Sequence, residues 1–299
     1  MHMRFLPAVL CLGLACNALG QKSAAPAPKD PPAEALSEDR IRDLIRHSAD
    51  NDLENDKKQR DYTYVEREET RRLDGKGQVK STEIRTYDVM EIYGEQVQKL
   101  ISKDDKPLSE KDARKEDEKI QKLIDKRRNE SDDDRKKRLK NEEKNREEGR
   151  KFVSEVADAY KFTFVGIETP DGRDTYVIDC DPQPGYQPHM KEAKFLSKVR
   201  GRVWIDKQDS QLRKFDVQFI DTVSFGLFLA RVHKGSRVVG EFTRVNDEVW
   251  LQQHIGVKVD VRVALLKDFN VEVDVTDRDY KKFRTGTKII PLNEAQAQP

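Results

Sequence analysis

Cysteine is almost absent from this 299-residue chain, with three in all. Cys11 and Cys16 fall in the first twenty residues, which leaves Cys180 alone in the rest and excludes an intramolecular disulfide there. Stability must therefore come from packing. Long apolar runs are also lacking: Phe5 to Ala15 is too short to span a bilayer, and nothing longer follows. Neither sign of charge dominates, since 57 basic residues meet 56 acidic ones, which argues against a nucleic-acid-binding role. The five histidines (2, 47, 189, 233 and 254) show no metal-ligand spacing. Ser224 and Ser236 sit in no Gly-x-Ser-x-Gly elbow, and the glycines form no phosphate loop. No metal or cofactor is expected, and no catalytic residue is assigned. Paired acids for glycoside cleavage are left open, because the spacing of two carboxylates in space is not written in the sequence.

What is present begins with an export pattern. Met1 to Arg4 is basic, Phe5 to Ala15 apolar, and Ala18-Leu19-Gly20 offers small residues before Gln21. This is the three-part form of a secretory signal peptide over residues 1–20 and predicts a periplasmic protein. Gly13-Leu14-Ala15-Cys16 offers a second reading, anchoring through an acylated Cys16, although Gly13 stands where such signals prefer a branched residue. Residues 21–36 are rich in Ala and Pro and read as a linker.

A single domain is expected over 37–290, followed by a tail at 291–299. Ser37 caps a predicted helix over 38–58, with Ile41, Leu44, Ile45 and Ala49 on one face. Residues 61–103 read as three antiparallel strands. Residues 104–151 are a charged insert, a solvated helix or helical hairpin frayed near Asp132-Asp133-Asp134; that acidic run reads as a solvated face rather than a cation site. Phe152 to Tyr160 resumes helical spacing and should dock. From Lys161 onward the chain is almost all strand, with a short helix over 190–198.

The clearest pattern lies between 249 and 265. The odd positions are apolar, apart from Gln253, and the even positions mostly polar. That is one long strand with a dry and a wet face. It would reach roughly 60 Å if straight, at about 3.4 Å per residue, so it must bend, with Gly256 as a candidate kink. Phe215, Val217 and Phe219 show the same sorting. Neighbouring strands with one dry face, bent to enclose it, give a half-barrel or a closed barrel. Three segments are candidates to plug it: the helix at 38–58, the turn at Ile120, and 152–160. The expected ligand-contacting wall is Val203, Ile205, Phe215, Val217, Phe219, Val257, Val259, Val261 and Val263, with Ile41, Leu44 and Ile45 as a lid. Trp204 and Trp250 fall on the polar parity and read either as packing residues or as contacts to a sugar or headgroup.

Element order and local wording then resemble a known family. Gly201-Arg202-Val203-Trp204-Ile205-Asp206 with Leu212-Arg213-Lys214 is one matching stretch. The others are Phe242-Thr243-Arg244-Val245 with Val249-Trp250-Leu251, and Asp279-Tyr280-Lys281-Lys282-Phe283. Over about 199–285 the chain is similar to the LolA/LolB lipoprotein-carrier superfamily, which includes the RseB-type sensor domain, and within it to the LolA-like lipoprotein-sorting group. The resemblance implies an α+β fold: a curved antiparallel sheet forming an unclosed half-barrel under a helical lid, here with a long charged helical insert. It implies a non-enzymatic carrier whose partners are the acyl chains of lipoproteins or other lipids. The insert and the linker depart from the family, and no position here matches its lid-latching arginine. A different reading, an interaction or sensor protein that binds envelope polypeptides through the insert or the wet sheet face, stays open.

Overall fold

The computed structural model describes residues 36–282, apart from 94, 226–229 and 264–266. The signal-peptide, linker and tail expectations lie outside these residues, except for Leu36. The chain opens with α1 (Glu38–Gln59). Ser37 caps it, its side chain accepting from the backbone N–H of Arg40, and Glu38 and Asp39 sit at the positive end of the helix dipole. Strands β1 (Tyr62–Leu73), β2 (Val79–Ile92) and β3 (Glu95–Lys103) follow as expected, with a two-residue β4 (Lys106–Pro107). Helices α2 (Glu110–Arg128) and α3 (Asp132–Ala159) make the insert a helical hairpin. The sheet then continues through β5 (Tyr160–Glu168), β6 (Thr175–Pro182), β7 (Val199–Asp206), β8 (Leu212–Phe219), β9 (Val223–Phe225), β10 (Ala230–Val232), β11 (Arg237–Val245), β12 (Val249–Val263) and β13 (Lys267–Lys282). Two 3-10 turns, Lys191–Ala193 and Leu196–Lys198, stand where one short helix was expected.

The expected fraying at the acidic triad is not found. Ser131 caps α3 by accepting from the Asp134 N–H, and its hydroxyl donates to the Asp134 carboxylate at 2.8 Å. Asp132, Asp133 and Asp134 thus form the first turn, where negative charge is favourable.

All described strand pairings are antiparallel and lie in one sheet, in the order β4-β3-β2-β1-β13-β12-β11-β8-β7-β6-β5. The path has two ends, so the sheet is curved but unclosed. Register fixes which residues share a face, since directly paired residues point the same way. One row across the sheet reads Ile178, Val203, Phe215, Gly240, Ile255 and Val275. The next reads Cys180, Gly201, Val217, Val238, Val257 and Val273. The opposite face carries cross-strand ion pairs, among them Arg202–Asp179, Lys214–Glu241 and Lys258–Glu272. One dry and one wet face is the arrangement the alternation predicts.

The long alternation is not a single face, however. Glu241 pairs with His254 and Phe242 with Gln252, so Gln253 is an extra residue on β12. This bulge, three residues before Gly256, reverses the side-chain sense of everything preceding it. Val249 and Leu251 pack with Tyr62, Val245 and Tyr280, while Ile255 and Val257 pack with Phe215, Val238 and Phe242.

Helices cover the dry face unevenly. Ile41 of α1 and Phe152, Ala157 and Ala159 of α3 are buried, and Ile41, Phe152 and Ala159 share a cluster with Phe162, Tyr176 and Ile178. Ala193, Phe195 and Leu196 join that cluster from the 3-10 turns, a plug the sequence reading did not include. Ile120 does not plug the interior. With Leu123 and Ile124 it packs on Met90, Ile92 and Val97, which point to the wet side of β2 and β3. The hairpin therefore starts on one face at the β3 edge and ends on the other at the β5 edge.

The Phe215 ring folds over Gly240, its direct partner on the neighbouring strand: a Cβ there would lie 2.3 Å from that ring. Gly240→Val should therefore displace Phe215 and lower stability by about 1–3 kcal/mol, measured by urea unfolding. An unchanged midpoint would contradict this packing.

Candidate functional site

The site is built from the two central rows of the dry face. Ile205, Phe215, Phe219 and Val259 are buried, and Val203, Val217, Val257 and Val261 are half-buried. Register brings all eight to one face, while the Val263 side chain lies outside the described residues. The four half-buried valines occupy three strands, β7, β8 and β12, and Val275 beside them on β13 is half-buried too. Apolar carbon at the middle of the face is thus only partly removed from water, an unusual condition for a core and a common one for a binding surface.

The first turns of α1 pack over one end of this face. Ile41 is 1% exposed, and Leu44 and Ile45 pack against the same cluster. The other attachments of α1 are polar. Arg42 donates to the backbone oxygens of Ala157 and Tyr160, lies over the Phe162 ring, and pairs with Glu38 at 2.7 Å. The last turn of α3 has no basic residue of its own, so Arg42 supplies the cation that its dipole favours. Further along α1, Asn51 donates to the Asp209 oxygen at 3.0 Å. Asn55 clamps the Trp250 backbone, accepting from its N–H at 2.8 Å and donating to its oxygen at 2.7 Å.

Trp250 itself is 4% exposed, donates from Nε1 to Asp209 and lies beneath the guanidinium groups of Arg173 and Arg213. It is a packing residue, as its plainer reading held. Trp204 is half-buried, donates to Glu168 and is covered by the Lys214 ammonium. Cys180 is buried, and burial pushes its thiol well above the ordinary range. His254 meets Asp274 at 2.9 Å, and among the described residues no group of three His, Cys, Asp or Glu is placed to share a metal.

One end of the dry face carries a feature absent from the sequence reading. Glu66 on β1 pairs directly with Asp277 on β13, so both carboxyls point to the same side as Val275 and Val273. They are 9% and 3% exposed. Gln98 donates to Glu66 at 2.6 Å and Gln252 to Asp277 at 2.9 Å. Burial, with Glu68 nearby, raises Glu66 to about 7. Burial, with Glu66 nearby, raises Asp277 to about 8. The rings of Tyr64 and Tyr280 stand 5.6 Å apart beside the pair, and burial raises both phenols. A signal was available: Tyr62, Tyr64 and Glu66 share one parity, as do Val273, Val275 and Asp277. The charge run around Glu66 concealed it.

No family model and no curated protein matches this sequence. Among solved structures the chain is similar to a domain named for outer membrane lipoprotein sorting from Vibrio parahaemolyticus, at 12% identity and a TM-score of 0.32, covering 84% of this chain and 98% of that one. It is similar to a DUF1329 family protein from Desulfovibrio piger, at 11% identity and a TM-score of 0.28, covering 82% and 95%. A LolA superfamily protein from Nitrosomonas europaea gives 10% identity and a TM-score of 0.28, covering 79% and 94%. The likeness concerns the fold alone, and at such TM-scores it carries no residue role, ligand or location across to this chain. No described helix is long and apolar enough to cross a membrane.

The raised carboxyls have a thermodynamic consequence. Both hold their protons in the folded state to higher pH than in the unfolded chain, where such carboxyls titrate at 4.5 and 3.8. Their stabilising share is complete below about pH 4 and is lost as pH rises through 7 and 8. The melting temperature should therefore fall between pH 6 and pH 9, and Asp277→Asn should flatten the fall. A melting temperature independent of pH over that range would contradict the protonated pair.

Proposed function

We propose that this protein is an exported, non-enzymatic carrier that holds acyl chains of lipids or lipoproteins against the dry face of its sheet. The single observation that supports it is the stretch of half-buried valines, Val203, Val217, Val257 and Val261, on one face partly covered by α1. Burying a CH2 group is worth about 0.8 kcal/mol, so a sixteen-carbon chain gains on the order of 12 kcal/mol gross before the costs of association. No catalytic group is needed to hold such a ligand. The mixed character of α1, with Ile41 buried and Arg42, Asn51 and Asn55 attached through hydrogen bonds, suits a cover that must separate from an apolar surface. The leader pattern of residues 1–20 supports a periplasmic location for the carrier. Leu44 and Ile45 complete the cover.

A second reading draws on α3. Its residues 132–145 are mostly exposed, and Leu139 is 49% exposed on a helix with both ends docked. Such an arm suits contact with an envelope polypeptide, by an interaction or sensor protein rather than a carrier.

Titration with a fluorescent sixteen-carbon fatty acid tests the first reading. Val257→Asp should weaken binding at least tenfold, while Thr163→Asp on the exposed opposite face should leave it unchanged. Equal affinities for the two variants, or no binding by the native chain, would refute it. Reversing Arg135, Lys136 and Lys137 to Glu should spare chain binding; loss of it would favour a role for the arm.

A further inference from the structure

We propose that Glu66 and Asp277, flanked by Tyr64 and Tyr280, form a receiving site for the ammonium head of a single-chain amphiphile whose tail lies on the valine rows. This deepens the carrier reading and rests on it. Two carboxyls directly opposite each other on paired antiparallel strands have Cβ atoms only about 5 Å apart. Both belong to residues more than nine-tenths buried, and Asp277 Oδ1 has no hydrogen-bond partner. A buried acceptor without a donor is costly, and it implies a donor supplied by something else.

The surroundings select that donor. Tyr64 and Tyr280 bring two aromatic rings to the pair, and ring faces attract organic cations. Gln98 and Gln252 each occupy one carboxyl through an amide N–H, which leaves the remaining oxygens for a third group. The other groups on this side are Glu68 on β1, Arg85 and Tyr87 on β2, and Gln96 on β3, which donates to Tyr64. Arg85 and its β3 partner Lys103 are the cations on this side; Arg85 is already engaged by Glu83 at 2.6 Å, and Lys103 lies at the exposed end of β3, beyond Arg85 from the acid pair. An ammonium would therefore meet acceptors and rings, whereas a phosphate or carboxylate head would meet two buried acids. Position suits the role as well. Val275 precedes Asp277 by two residues on the same side of β13, about 7 Å away. A tail lying on the Val203 to Val275 row thus ends at the acid pair. Burial favours the protonated forms of both carboxyls, with Glu66 raised to about 7 and Asp277 to about 8; an arriving ammonium would displace protons from them.

The test compares decylammonium, 1-decanol, decyl sulfate and butylammonium by calorimetry at pH 6.5 in two buffers of different ionisation heat. The overall charge of +1 gives no general preference for cations. Decylammonium should bind at least tenfold more tightly than decanol and release about one proton per site, as linkage requires when a charge replaces bound protons. Decyl sulfate should bind more weakly than decanol, and butylammonium should release no protons at the same concentrations. Asp277→Asn and Glu66→Gln should each bring the decylammonium-to-decanol ratio close to one. Decanol binding with no preference for decylammonium would overturn the headgroup site while leaving the carrier reading intact. Proton release by butylammonium would overturn its link to a tail. Failure of every ten-carbon probe to bind would overturn both.

Discussion

An open antiparallel sheet with one apolar face cannot leave that face in water, and the rest of this structure follows from how it is covered. At about 25 cal/mol per Å² of apolar surface removed from water, covering the rows from Ile178 to Val275 stabilises the fold in proportion to the area hidden. With no disulfide available to Cys180, this packing has to suffice. Over β5 to β8 the cover is heavier: α1, the end of α3 and the 3-10 turns bury Phe162, Ile178, Ile205 and Phe219, with Val203 and Val217 left half-buried. Over β11 to β13 it is partial: Val238, Ile255 and Val259 are buried, while Val257, Val261, Val273 and Val275 remain half-buried.

The way the cover is fastened follows from the same constraint. A helix with a broad apolar face would close permanently; α1 offers Ile41, Leu44 and Ile45 and otherwise relies on side chains that bond to exposed backbone. Arg42 meets the carbonyl end of α3, and Asn55 meets the unpaired backbone of Trp250, where β13 has already parted from β12. Each contact satisfies groups that would otherwise be left without partners, and each exchanges readily for water. The α2–α3 hairpin links the two edges of the sheet by passing from its wet face to its dry one. Arg127 and Arg138 converge on Glu130 at its turn, and these partly buried pairs fix the elbow rather than add much stability.

Much of this was legible in the residues. Side-chain alternation is a local property, so the dry face of β7, β8 and β12 could be read directly from Val203, Phe215 and Val257. Helix α1 was marked by Ser37 and the spacing of Ile41, Leu44 and Ile45. What escaped depends on relations between strands. The bulge at Gln253 has no composition signal, because its cause is the register of β11 against β12. The outward docking of Ile120 depends on which side Met90 and Val97 present, and that is set by pairing with β1. The acid pair is visible only once β1 and β13, more than two hundred residues apart, are placed side by side.

The central claim is that the half-buried valines of the dry face contact an acyl chain. A methyl NMR spectrum recorded with a fatty acid carrying a nitroxide in mid-chain addresses it directly. Signals of Val203, Val217, Val257 and Val261 should broaden strongly, while those of Val239 on the wet face and Leu139 on α3 keep their width. Uniform broadening, or broadening centred on α3, would contradict the account.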